Sequence, residues 1–298
     1  MRPRKLWRRF RPLSKPKGIF HDQTIFEADT IYTEARKIIK DSLHESRNVK
    51  HFGRRTKRIN EAVRRLTQRD IYQPEFLLAR LILQTPSAAC AQIDMDKNKG
   101  GYTDRRARLF ELIDFNDTYV DTVLALPEQY LENFTHRLHH EMAVFCQQMH
   151  LPMFTDKQYD AIIHGLNREI ALFRTAKKLG YVVRMTSRLQ DAMGIDMVIT
   201  DPNSKKSINV DCKTRSAYHF RLRDLLNQRR IDEERRLRCE LMGFCLIQNG
   251  GGDKAVDTVL FRIATEDLGG IKDFDFINPH ALSEQLYQAI EHHGSFIV

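Results

Sequence analysis

Cysteine is scarce and scattered. The five thiols, Cys90, Cys146, Cys212, Cys239 and Cys245, are odd in number and form no C-x-x-C pair. This excludes a disulfide framework and a cysteine-rich zinc module, and it points to a reducing, cytoplasmic setting. No run approaches the roughly 18 apolar residues of a membrane helix; the greasiest stretch, Leu77 to Leu83, is interrupted by Arg80. No membrane partner is therefore expected. Gly250-Gly251-Gly252-Asp253-Lys254 lacks both the spacing of a phosphate-binding loop and the hydroxyl that follows its lysine. Any ATP-driven step would belong to another subunit. Acids are missing altogether from the first 20 residues, where Pro3, Pro12 and Pro16 interrupt any helix. The segment thus reads as an extended basic arm rather than a targeting peptide.

Positive charge is concentrated at one end. Residues 1–69 hold 20 Lys/Arg and 7 Asp/Glu, a net of +13, whereas the other 229 residues hold 28 and 32, a net of −4. A basic block such as Arg54-Arg55-Thr56-Lys57-Arg58 is the electrostatic footprint of a nucleic-acid binder. At 298 residues the chain is long enough for two domains, each with its own core.

The elements divide the chain near residue 150. From about 21 to 150 the text is helical. Pro74 sits where a first-turn proline belongs, residues 97–101 read as a loop, and a long helix is expected from Pro127 to about Gln148. From 151 onward the pattern is mixed. Thr155 with Gln158 resembles a capping box, opening a helix that stops at Gly180. Strands are expected at 181–185, 195–200 and 207–213, then a helix over about 221–241, strands at 244–247 and 258–263, and a final helix at 281–292. The fold class is α/β, with a mostly helical N-terminal domain and a mixed-sheet C-terminal domain.

The hairpin at 195–213 carries the chemistry. Asp201-Pro202-Asn203-Ser204 suits a type I turn. Centring the turn between Asn203 and Ser204 makes antiparallel partners sum to 407 and sets Asp196 across from Asp211. Asn209, Asp211 and Lys213 then share one face of their strand, and Ile208, Val210 and Cys212 the other. Two carboxylates facing each other across a ladder repel, so a cation is expected between them. On the preceding helix, Glu169 falls within the apolar stripe of Ile162, Leu166, Phe173 and Ala176. An acid there needs a partner or a shifted pKa.

Taken together, Glu169, Gly194-Ile195-Asp196 and Asp211-Cys212-Lys213, with Thr214 following, resemble the PD-(D/E)XK nuclease superfamily. The resemblance covers about residues 155–250; Ile195 stands where the family's proline would be. It implies a restriction-endonuclease-like αβββαβ domain and a magnesium-dependent nuclease, with DNA favoured over RNA as substrate. Asp196, Asp211 and the Cys212 carbonyl would ligate Mg²⁺, for which Mn²⁺ would substitute, and Glu169 would act through water. Lys213 would orient the attacking water or steady charge on the phosphate. Arg221, Arg223, Arg229 and Arg230, on the helix after the D-x-K strand, would meet nucleic acid together with Arg54, Arg55, Lys57 and Arg58. Gln190 and Asp191 could add polar contacts. A non-cleaving nucleic-acid-binding or assembly protein and an RNA-cleaving effector are the competing readings, and a protein partner that directs cleavage is compatible with all three.

One other cluster competes for a metal. His136, His139, His140, Cys146 and His150 lie on one expected helix, with His136/His140 and Cys146/His150 each at i, i+4. His140-Glu141-Met142-Ala143-Val144 misses the zinc-protease H-E-x-x-H pattern at its last position, and a partly exposed helix face is the expected reading.

Overall fold

The computed structural model describes residues 30–46, 55–97, 105–186, 190, 193–249 and 256–292. The basic arm at 1–20, Arg54, Asp191 and Gly250–Lys254 lie outside the described residues. The chain is α/β, predominantly helical with one mixed five-stranded sheet.

The first part is a helical bundle of α1 (Thr30–Glu45), α2 (Arg55–Gln68), α3 (Pro74–Lys97), α4 (Arg105–Ala125) and α5 (Phe134–Met149). Pro74 opens α3 as expected, since a first-turn residue has no intrahelical N–H bond to lose. α3 is apolar on nearly every side and lies at the centre, packed against α1, α2, α4 and α5. By length and composition it could cross a membrane, yet two thirds of its most apolar window is buried inside the protein. Across the bundle Arg36 of α1 pairs with the buried carboxylate of Glu141 on α5. The single helix expected from Pro127 is not formed. A 3₁₀ turn at Glu128–Tyr130 comes first, and Asn133, at φ +56°, redirects the chain into α5. Asparagine tolerates that left-handed conformation better than most residues.

α6 (Asp156–Lys178) joins the two parts. Its capping box is present: Thr155 N–H donates to Gln158 Oε1 at 2.9 Å, and Gln158 N–H to Thr155 Oγ1 at 3.3 Å. It ends before Gly180, at φ +93°. The first half of α6 contributes Tyr159, Ile163, Leu166 and Ile170 to the bundle core; the second half contributes Ala171, Leu172 and Ala176 to the sheet core. One helix therefore seals both cores.

The sheet contains β1 (Val182–Met185), β2 (Met197–Thr200), β3 (Ser207–Lys213), β4 (Phe244–Asn249) and β5 (Val256–Arg262) in the order β1-β2-β3-β5-β4. β1, β2 and β3 form an antiparallel meander; β5 runs parallel to β3, and β4 returns antiparallel on the outer edge. Between β3 and β4 the structure has two helices, α7 (Arg215–Asn227) and α8 (Glu233–Met242), where one was expected. Thr214 Oγ1 caps α7 by accepting from Ala217 N–H, Arg229 turns the chain at φ +57°, and Asp232 caps α8 by accepting from Arg235 N–H. Each cap satisfies a free backbone donor at a helix start, so two short helices replace one long one. A small hairpin of β6 (Ile271–Lys272) and β7 (Asp275–Phe276), then α9 (His280–Glu291), complete the fold. Arg174 and Lys178 of α6 hold the hairpin through Asp275.

Ile208, Val210, Met197 and Ile199 pack with α6 and α9 on one face of the sheet. Leu260, Cys245 and Ile247 pack with Tyr218 and Leu222 of α7 and Cys239 of α8 on the other.

Candidate active site

The β2–β3 hairpin has the expected register. Met197 faces Val210 and Thr200 faces Ser207, each pair summing to 407. Asp201 organises the turn: its carboxylate accepts from Asn203 N–H, Ser204 N–H and the Ser204 hydroxyl, while Lys205 adopts φ +60°. The ladder stops one residue short of Asp196. The Asp196 N–H donates to Val210 O at 2.8 Å rather than to Asp211, and its Oδ2 accepts from Cys212 N–H at 2.6 Å. Asp196 thus reaches the stretch of strand that carries Asp211 by its side chain.

Asp211 is 4% exposed and lies in register with Leu260, which places it on the α7 side of the sheet. The Lys213 ammonium, two residues on and so on the same face, pairs with Asp211 Oδ1. Lys213 thus supplies a positive charge beside Asp211 within the chain itself. Burial pushes the Asp211 carboxyl above its ordinary value, against the pull of Lys213 and Arg221. Burial alone would depress the Lys213 ammonium, but the charges of Asp211 and Asp196 outweigh it and hold that pKa above the usual value.

Glu169 stands differently from the sequence expectation. The buried face of α6 here is Tyr159, Ile163, Leu166 and Ile170, and Glu169 is half-buried at its margin beside Ile162 and Phe173. α6 packs on the sheet face opposite Asp211, against Met197 and Val210. Glu169 still belongs to the neighbourhood, because its charge and those of Asp196 and Asp211 all act on the half-buried Cys212 thiol, which desolvation raises well above its ordinary pKa. Among the described residues no three His, Cys, Asp or Glu side chains are arranged to hold a metal ion together.

Two supporting features connect the site to neighbouring strands. Gly194, at φ +79°, lies so close to the site that a Cβ there would stand 3.2 Å from Asn249 Nδ2 and 3.7 Å from Asp211 Oδ2. Asn249, buried at the end of β4, donates to Gly194 O at 3.2 Å, and Thr186 Oγ1 donates to Asp196 O at 3.0 Å. The strand expected at 244–247 stops short of Asn249, whose place on the edge strand depends on the long-range β4–β5 pairing and has no local signal. Gly194→Ala is expected to destabilise the protein by about 1–2 kcal/mol, the cost of forcing a left-handed residue to carry a Cβ. Urea unfolding measures this, and an unchanged midpoint would show that the loop relaxes freely.

The basic residues divide into committed and uncommitted. Arg55 donates to Met149 O, Arg58 to Leu43 O and Arg230 to Gln248 O, while Arg221 pairs with Asp224 at 2.7 Å. Lys57, Arg223 and Arg229 are exposed, and the last two make no ion pair with any described residue. Gln190 is half-buried, its carbonyl accepting from Met193 and Ile195 N–H. In the histidine cluster, His139 stacks on Tyr159 with ring centroids 4.4 Å apart, and its Nε2 lies 3.6 Å from Asp156. Burial pushes the Cys146 thiol up to about 12, which makes it a poor metal ligand. No protein-family model matches the sequence, and no curated protein or solved structure matches it significantly.

Proposed function

We propose that the chain is a metal-dependent nuclease that hydrolyses phosphodiester bonds, on a restriction-endonuclease-like C-terminal domain, with DNA as its substrate. The observation that carries this reading is Asp211: a buried carboxylate that shares one strand face with Lys213, on a strand that the Asp196 carboxylate, just before β2, bonds at Cys212 N–H. A buried charge is costly to keep, and such groups gather at functional sites. The parallel pairing of β3 with β5 and the meander β1-β2-β3 support the architecture, although β5 reaches its place only after the chain has formed β4 on the sheet edge.

The donors suit a hard cation. Asp196 and Asp211 offer carboxylate oxygens and Cys212 a backbone carbonyl, a set that favours Mg²⁺, or Mn²⁺, over softer metals; Glu169 would act through water. Bound there, the ion would polarise the phosphodiester and supply an activated water. Lys213 would hold a fixed positive charge where the phosphate gains negative charge. Arg221, whose charge reaches Asp211, would add to the field that draws a phosphate in.

The second reading is a nucleic-acid-binding or assembly protein that no longer cuts. It draws on the separation of Glu169 from the Asp211 face, which leaves fewer than three acids gathered for a metal among the described residues. The deciding measurement is cleavage of duplex DNA, single-stranded DNA and RNA, with Mg²⁺ and with chelator. Mg²⁺-dependent cutting of DNA is expected. Binding without cutting would establish the second reading, and cutting of RNA alone would make the protein an RNA-directed effector. If the arm touches phosphates, deleting residues 1–18, which removes eight Lys/Arg and no acid, should flatten the slope of log K against log[salt] by about 0.9 for each phosphate no longer neutralised. An unchanged slope would show that the arm is a bystander to nucleic acid or serves a protein partner instead.

A further inference from the structure

α7 carries a surface that its packing does not explain. Its buried side, Tyr218, Leu222 and Leu225, meets the sheet. Arg221, on the flank, directs charge at Asp211, and His219, on the other flank, bonds Glu240 of α8 at 3.1 Å. The outward stripe is Ser216, Phe220, Arg223 and Asn227, spaced i, i+4, i+7 and i+11, with Phe220 and Arg223 exposed at its centre. Phe220 is 70% exposed, a large aromatic ring left in water. Adjacent helix positions differ by about 100°, so Phe220 projects away from the sheet, leaning to the Arg221 flank, and Arg223 leans to the α8 flank. Phe220 is about 7.5 Å along the axis from the start of the helix at Arg215, which itself follows Lys213 and Thr214.

Resting on the nuclease reading above, we propose that Phe220 is a stacking platform for an unpaired base of single-stranded nucleic acid, with Arg223 on the neighbouring phosphate. The substrate class would then be a single strand, or a frayed end, beside the candidate site. Two facts favour nucleic acid over a protein here. From Arg215 to Arg230 the chain has five arginines and one acid, Asp224, and Arg223 and Arg229 have no ion-pair partner among the described residues. An aromatic ring beside uncommitted arginines has the composition of a base-and-backbone contact. The other exposed apolar side chains nearby, Leu237 and Leu241 of α8, stand instead among Glu233, Glu234, Arg236 and Arg238, which pair with one another.

The test is binding of one labelled oligonucleotide, single-stranded and as a duplex, to the full chain in chelator. Phe220→Ala removes an exposed side chain and should fold normally. It is expected to weaken single-strand binding about 5- to 150-fold and duplex binding by less than about two-fold, whereas Phe220→Trp retains affinity. Trp7 is the only tryptophan, so in the Trp7→Phe background Phe220→Trp is a sole reporter, and its emission should be quenched when a base stacks on it. Equal single-strand affinity for wild type and Phe220→Ala would overturn the proposal and leave the nuclease reading intact. Equal weakening on single strand and duplex would overturn it too, as would a change only in self-association, which would mark the surface as a protein contact. A wild-type chain that binds neither nucleic acid would remove both readings.

Discussion

Asp211→Asn and Lys213→Ala should each lower Mg²⁺-dependent cleavage by at least about 10²–10³-fold, the loss that follows removal of one well-placed group stabilising transition-state charge. Asparagine is nearly isosteric with aspartate, so Asp211→Asn keeps the packing beneath α7 and removes only the charge that would hold the ion. The lysine it leaves behind is one third exposed and can turn its ammonium to water. DNA affinity in chelator should change by no more than about two-fold, because register and orientation come from backbone contacts made by other basic residues. Steady-state cleavage with anisotropy on the same duplex measures both quantities. Wild-type cleavage by either variant would remove Asp211 and Lys213 from the chemistry and, with them, the nuclease reading. Abolished cleavage together with abolished binding would point to a disturbed surface instead.

Much of this site was legible because its determinants are local. The Asp201-Pro202-Asn203-Ser204 turn sets the hairpin register, and period-two alternation then places Asp211 and Lys213 on one face. The capping box at Thr155, Pro74 at the start of α3 and Gly180 after α6 are also written within a few residues of where they act. What escaped depends on distant partners. Placing Glu169 within a buried stripe supposes that α6 has one buried side. Instead α6 is buried by the bundle at one end and the sheet at the other, so its apolar positions do not follow a single stripe. Asn249 gains its role only because β4 pairs with β5 on the sheet edge. The break between α7 and α8 has a local signal, Asp232 followed by Glu233 and Glu234, but the same charges also suit a continuous solvated helix face. The Asp196 carboxylate bonding to Cys212 N–H, in place of a further rung, follows from the ladder ending at Met197.

In the metal-free protein, Lys213→Ala is expected to lose about 2–3 kcal/mol of stability at pH 8. Breaking a buried ion pair from one side costs more, but the lysine is one third exposed, and solvent screening reduces its share. The loss should depend on pH in a defined direction. The folded-state pKa of Asp211 is already raised by burial, so its contribution to stability is complete below the unfolded value near 4 and is lost as pH rises through the folded value. Lys213 heads the influences that pull the folded value down; without it the value climbs, and at neutral pH the variant must either bury a charge or take up a proton. Wild type and Lys213→Ala should therefore converge as pH falls, because Asp211 in the variant takes up its proton at a higher pH than in wild type and the uncompensated charge is then gone. Replacing both partners removes the charge and its counter-charge together, which is often nearly neutral for stability. Asp211→Asn/Lys213→Ala is thus expected to recover to within about 1 kcal/mol of wild type and to lose the pH dependence. Urea titrations of the three proteins at pH 5, 7 and 8 in chelator test this. A loss in Lys213→Ala that is equal at all three pH values, and that the double variant does not recover, would mean the lysine acts by covering apolar surface with its stem rather than by neutralising Asp211.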